Sequence, residues 1–347
     1  VVGVLAVLSL PWRAAAQETW QRFEFSFANP GARSMGVGGA FVALADDPTA
    51  AFANPGGLVQ LARPEAFLDA RLSFELDEGD DVDNVVTDVT GLSFFSFVLP
   101  VKRCSLAAYG HRVGTVELRA VDGDTGPGFD STGVTTLEIN RFAVAGACRV
   151  TDALGVGAGL SYFRGGLNLT GSSGDSTDWG LNAGVLWRPV DRLHVGGFYR
   201  EGPRLEADGG AAGTLTLPDV YGLGFAVRSA NGRFTLSGEW DRVEYSSLLA
   251  DLDFRAAGVG ETVLDDADEL HLGGEYAWSR EHSVVGLRFG AWLDPDHVVT
   301  SEGGDQGGDV VHGAAGFGIA WERWQLDVAI DVASDLFTVS VSGMFVF

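Results

Sequence analysis

The sequence predicts an all-β protein: a 14-stranded antiparallel transmembrane β-barrel with an N-terminal hatch in its lumen. Three observations carry that prediction. Apolar and polar residues alternate with period two in segment after segment; the linkers between segments alternate between tight turns and long acidic loops; and four tryptophans lie beside the tight turns on the apolar faces. Period-two alternation marks strands with one apolar face. Short turns on one side and long loops on the other are the build of an outer-membrane barrel.

The alternation is clearest at the C-terminal end. In "LFTVSVSGMFVF", Phe337, Val339, Val341, Phe345 and Phe347 share one face and Thr338, Ser340 and Ser342 the other. "WQLDVAID", "ELHLGGEYAW" and "FTLSGEW" repeat it. Fourteen such segments lie near 65–76, 89–100, 102–114, 135–150, 153–164, 178–188, 192–202, 217–228, 233–246, 268–279, 283–294, 310–321, 323–332 and 336–347. Between them "PVKR", "TDA", "RPVDR", "SANGR", "SREH" and "ER" are tight, whereas "DEGDDVDNVVTD", "AVDGDTGPGFDSTG", "GSSGDST" and "PDHVVTSEGGDQGGD" are long. Only the outward linker at "ASD" is short. An even strand number returns both ends to the periplasm, with the long loops extracellular. Trp187, Trp278, Trp321 and Trp324 then form an aromatic girdle on the barrel exterior. A soluble β-sandwich also alternates, but does not require alternating linker lengths. Phe347, closing an aromatic strand, reads as a signal for the barrel assembly machinery.

Ahead of the strands, "VVGVLAVLSLPW" followed by Arg13 and "AAAQ" reads as a cleaved signal peptide over 1–16. It is too short for a spanning helix, which needs roughly 20 residues. Residues 17–64 form the hatch and 65–347 the barrel. The hatch contains "GARSMGVGGAFVALADDPTAAFANPGGL", rich in Gly and Ala and nearly without period. Irregular backbone is tolerated at membrane depth where protein surrounds it, and a barrel of this size has room for it.

Composition excludes other classes. Against 23 bases stand 47 acids, a net charge of −24, which makes nucleic acid a poor partner. No Gly-x-Ser-x-Gly elbow is present, the six histidines lack metal-ligand spacing, and neither a chemical step nor a cofactor or metal is expected. The acidic loops, which face outer-membrane lipopolysaccharide, read as solvated rather than cation-binding. Cys104 and Cys148 sit near the turn-proximal ends of consecutive strands on one outward face. The expectation is two unpaired small side chains, with a cross-strand disulfide as the alternative.

"ALADDPTAAFANPGGL" resembles the hatch motif of the FadL-like outer-membrane hydrophobic-compound transporters, a family of channels for long-chain fatty acids and aromatic hydrocarbons. "LPDVYGLGFAVR", "FTLSGEWDRVEYSSL", "HLGGEYAW" and "LRFGAWLDPDH" extend the likeness through the C-terminal half, whereas 65–200 match by pattern alone. Gly56 stands where the family usually has Ala. The resemblance implies passive uptake of a hydrophobic small-molecule ligand. A hatch turn at Asn54, Pro55, Gly56 and Gly57 would gate it, and a kinked third strand, with Gly110 and Gly114 as the positions of the kink, would let it leave sideways. A PorV-like group of secretion-associated barrels shares the style of N-terminus and is the alternative.

Alternation places Arg141, Arg188, Arg200, Arg228, Glu239, His271, Glu275, Arg288, Asp327 and Asp331 on lumen faces. Arg141, Arg200, Arg228 and Arg288 are candidates to accept a carboxylate headgroup, unless the set is a mutually paired network. Phe41 and Phe52 are expected beside the ligand path, and Asp46 and Asp47 are expected to pair with inward arginines.

Overall fold

The computed structural model describes residues 21–22, 27–75, 85–87, 91–119, 134–169, 172–206, 214–250, 262–296, 298–301, 308–334 and 336–347. The expected signal peptide, and most of the loops at 76–90, 120–133 and 251–266, lie outside them. Fourteen strands form the wall: β1 (Glu65–Glu75), β2 (Gly91–Val101), β3 (Cys104–Arg119), β4 (Val134–Thr151), β5 (Leu154–Leu169), β6 (Ser172–Val190), β7 (Leu193–Arg200), β8 (Val220–Arg228), β9 (Phe234–Val243), β10 (Ala267–Ser279), β11 (Ser283–Asp294), β12 (Val310–Trp321), β13 (Trp324–Val332) and β14 (Leu336–Val346). Each pairs antiparallel with its sequence neighbours, and the β1–β14 ladder, from Glu65↔Val346 to Glu75↔Leu336, closes the ring. Closure gives every one of these strands a neighbour on both sides, the condition for crossing lipid with strands.

The two faces of the wall differ as the alternation predicts. On β1, Leu68 is 57% exposed while the adjoining Phe67 and Asp69 are 4% and 1% exposed. Outward positions carry Leu, Phe and Val in every strand sector, and the inward ones are covered. Trp187 and Trp324 are half exposed on that outer face, and Trp321 pairs with Trp324 across the tight Glu322–Arg323 turn.

One linker differs from its expected form. "GSSGDST" was read as a long loop, yet β5 and β6 continue their ladder to Leu169↔Ser172. Two residues separate the strand ends. Pairing satisfies backbone groups at no cost in apolar exposure, and Arg164 adds an exposed ion pair to Asp175 across it at 2.7 Å. The cysteines also correct the expectation. Cys104 and Cys148 stand directly opposite in the β3–β4 ladder, with Cα atoms 4.0 Å apart, and form a disulfide. Zero register offset places both side chains within bonding reach.

The segment of residues 29–61, ahead of β1, packs against the inward face of the wall. It contains two short helices, α1 (Ala32–Gly36) and α2 (Ala50–Ala53), and a 3-10 turn over Pro55–Gln60. Nearly every residue from Asn29 to Leu61 is buried. It touches strands all round the wall: the Ala32 N–H donates to Ser342 Oγ on β14, Arg71 on β1 donates to the Asn29 carbonyl, and Asn54 reaches Val185 on β6. Small residues make this fit possible. The wall presents Gly157, Gly184, Gly196, Gly273 and Gly290 where the inner backbone comes closest, and a Cβ built on Gly290 would stand 2.2 Å from the Gly38 nitrogen. Gly38 itself has φ +62°, a left-handed turn that glycine takes without strain.

Candidate functional site

The Asn54 turn is held by a single side chain working in both directions. Its amide donates to the carbonyls of Val42 and Val185, each at 2.9 Å, and its carbonyl oxygen accepts from the Gly56 N–H at 3.0 Å. It thereby caps the 3-10 turn and ties it to β6. Pro55 starts that turn, and Gly57 N–H donates to the Asn54 carbonyl. A Cβ at Gly56 would lie 2.8 Å from the Gly184 oxygen, so glycine there lets the turn seat against the wall.

Charged groups hold the other side. Glu239 on β9 accepts the Phe41 and Val42 N–H groups at 2.6 and 2.7 Å. Arg33 from α1 binds Glu275 at 3.0 Å and Asp46 at 2.5 Å, and reaches Asp47 at 3.8 Å. Arg288 bridges Glu275 and Asp327 at 2.7 and 2.6 Å. The expected placement of several residues therefore changes. Asp46 and Asp47 pair chiefly with the segment's own Arg33, and Arg228, 42% exposed near a tight turn, only approaches Asp46 at 3.9 Å. Arg288 is committed to wall carboxylates. Phe41 packs with Val37, Ala43, Leu44, Ala53 and Ala226 in a closed cluster.

Phe52, Arg141 and Arg200 do converge. A half-enclosed pocket between segment and wall is lined by these three together with Phe163, Leu217 and Val113. Arg200 lies 4.2 Å over the Phe52 ring and 4.3 Å over Phe198; Arg141 lies 4.4 Å over Phe163. Such cation–aromatic stacking offsets part of the cost of desolvating a guanidinium. Neither arginine has a carboxylate within ion-pair distance among the described residues, and Arg200 leaves Nε and Nη1 without hydrogen-bond partners. Buried donors of this kind can accept an anionic or polar ligand group. His111 closes the inner side, 4.7 Å from the Phe52 ring.

The pocket meets the wall at an irregularity in β3. The β2–β3 ladder stops at Phe94↔His111, and pairing on that side resumes with the short strand Val85–Thr87 at Thr87↔Val116. On the other side the β3–β4 register shifts between Arg112 and Gly114, leaving Val113 as the extra residue of a bulge. Bulges redirect a side chain and bend the strand. Gly114 flanks this bulge. Gly110 does not: the ladder runs unbroken through it, and the Phe95 ring occupies the space of its missing side chain. Phe163, His111 and Val113 were not singled out by sequence: alternation puts His111 and Val113 on one inward face with Tyr109, but it does not say which inward residues of neighbouring strands meet.

These features define a class: a closed 14-stranded antiparallel β-barrel with residues 29–61 packed against the inner face of its wall. Its fold is that of the FadL-type transporters. A Pseudomonas aeruginosa FadL homologue superposes with a TM-score of 0.72 at 16% identity, covering 94% of this chain and 100% of that one. The Pseudomonas putida toluene transporter TodX gives 0.63 at 14% identity over 93% and 99% of the two chains. The CymD monoaromatic hydrocarbon channel gives 0.62 at 15% identity, again over 93% and 99%. No protein-family model and no curated protein sequence matches the chain.

Proposed function

We propose that this protein is a passive outer-membrane channel for hydrophobic small molecules, of the kind named in two of its structural neighbours, the toluene transporter TodX and the CymD monoaromatic hydrocarbon channel. Its long loops face outward and its termini the periplasm. The observation that carries the reading is the pocket: an apolar and cationic recess that joins the inner segment to the interrupted ladder at Val113. An apolar molecule gains roughly 25 cal/mol per Å² on leaving water there, and the irregular wall beside it offers a sideways route into lipid. Residues Asn54–Gly57 act as the gate, since a turn held by a few hydrogen bonds is among the least costly elements to displace. Arg200 and Arg141 hold the carboxylate of ligands that have one. No catalytic step or cofactor is invoked.

The test is uptake of labelled long-chain fatty acid and of toluene by cells expressing the protein. Val113→Trp, which fills the pocket at the bulge, should abolish uptake of both while the barrel still assembles. Undiminished uptake by that variant would overturn the route, and no uptake above the empty-vector level by the unmodified protein would overturn the function.

A further inference from the structure

Beside the pocket, on the far side of Arg200, three inward side chains of β9 and β10 meet beneath the long loops. Glu269 and His271 are two apart on β10, and therefore share a face; Asp241 comes from β9, where its neighbour Glu239 is already occupied by the Phe41 and Val42 N–H groups. All three are at least nine-tenths buried. One ligand atom from each lies within 4.8 Å of the others.

The histidine fixes the chemistry. His271 Nδ1 is 2.8 Å from the Gly38 carbonyl oxygen. A carbonyl only accepts, so Nδ1 carries the proton, and in the neutral ring the Nε2 lone pair points the other way. There it meets Glu269 Oε2 at 3.3 Å and Asp241 Oδ2 at 4.0 Å. Nε2 has no hydrogen-bond partner, nor does Asp241 Oδ1. Among the described residues no arginine or lysine comes within ion-pair distance of either carboxylate, and Arg200 acts on Asp241 only from farther off. Two buried carboxylates aimed at a lone pair carry more negative charge than Arg200, at that range, offsets.

The geometry points to a site for one divalent transition-metal cation of the Zn2+ class, ligated by Asp241, Glu269 and His271. With bonds of about 2.0 to 2.2 Å, a tetrahedral site has an edge of about 3.4 Å, close to the 3.3 Å between Nε2 and Glu269. The 4.0 Å to Asp241 closes with a small turn of its carboxylate. An imidazole among the donors favours Zn2+ over Ca2+ or Mg2+, which take oxygen ligands. The surroundings are those of an oriented ligand: Trp292 stacks on the imidazole at 5.4 Å and 16°, and a side chain at Gly39 would come within 2.8 Å of Nδ1. Through the Nδ1 bond the cation would lock Gly38, and with it the inner segment, to the wall. The sequence expectation of no metal ligands rested on linear spacing, which cannot register a donor from the adjacent strand.

The experiment uses the detergent-purified full chain, stripped with chelator and titrated with Co2+ as a spectroscopic probe, then with Zn2+. The expected result is saturable binding of one Co2+ per chain with ligand-field bands, displaced by Zn2+. Asp241→Asn and Glu269→Gln should each weaken it by about tenfold or more, and Glu281→Gln, beside the exposed His282, should leave it unchanged. Heat-modifiable gel migration checks that each variant folds. Hydrogen exchange of the unmodified protein supplies a readout free of mutation: Zn2+ should slow exchange around residues 36–40. Absence of saturable binding, variants that bind like the unmodified protein, or exchange indifferent to Zn2+ would each overturn the site, leaving a plain imidazolium–carboxylate cluster.

Discussion

Asn54 and Arg200 have opposite relations to their surroundings. Every polar atom of the Asn54 amide group is engaged in the contacts that hold the turn, whereas Arg200 has a buried guanidinium with donors to spare. Replacing Asn54 by Ala takes a partner from the Val42 carbonyl and the Gly56 N–H, while the Val185 carbonyl keeps its place in the ladders. Each group that loses its partner costs about 1 to 3 kcal/mol if it stays buried. Uptake should fall well before the barrel loses its heat-modifiable migration, because the lost bonds belong to the turn and only one of them reaches the wall. Arg200→Leu should act through the ligand. Binding of a long-chain carboxylate, followed by calorimetry, should weaken by about ten- to a hundredfold, as befits a charge-assisted hydrogen bond of 1.5 to 3 kcal/mol. Toluene binding should hardly change. Equal losses for both ligands would mean that Arg200 shapes the pocket and does not hold a carboxylate.

Among the elements, the inner segment and the wall are fitted backbone to backbone. A Cβ at Gly290 would fall 2.2 Å from Gly38 N and 2.3 Å from Val37 C, with no flexible side chain to yield. Gly290→Val should therefore undock the segment while β11 keeps its ladders to β10 and β12. The readout is conductance in planar bilayers, which should rise toward that of a chain lacking residues 18–58. A variant that conducts like the unmodified protein would refute this packing. The Cys104–Cys148 disulfide belongs to the same scale, since it staples β3 to β4 at the tight-turn end. Intact mass without reduction should be lower by two hydrogens than after reduction. Chain-entropy reasoning sets its contribution at about 4 kcal/mol for a loop of this length, although the ladder it joins is already closed by backbone pairing.

At the scale of the whole molecule, orientation is the open variable. A cysteine introduced within 251–266 should react with a bulky, impermeant thiol reagent on intact cells, and one within 229–232 should not. Reaction at both sites would contradict the proposed orientation. Deleting residues 18–58 should leave an assembled barrel that passes small ions without selectivity, because the wall's ladders run strand to strand and need no inner support. Unchanged conductance in that deletion would show that the segment does not close the lumen.

The sequence by itself determined the number, order and approximate ends of the strands. Alternation is a local property: "LFTVSVSGMFVF" reads as a strand because each residue's face follows from its position, and linker length follows the turn it makes. It also placed Arg141 and Arg200 on inward faces, and the structure brings them to one pocket with Phe52 of the N-terminal segment. Only the tertiary structure decided which inward charges were already spent. Arg288 looks like Arg200 in sequence, but its neighbours across the ladders are Glu275 and, through β12, Asp327, whereas Arg200 faces aromatic rings. The Val113 bulge, the direct opposition of Cys104 and Cys148, and the meeting of Asp241 with His271 share that character. Each depends on register between strands, set by pairing along the entire ladder, and a residue's own sequence neighbourhood carries no record of what lies across from it.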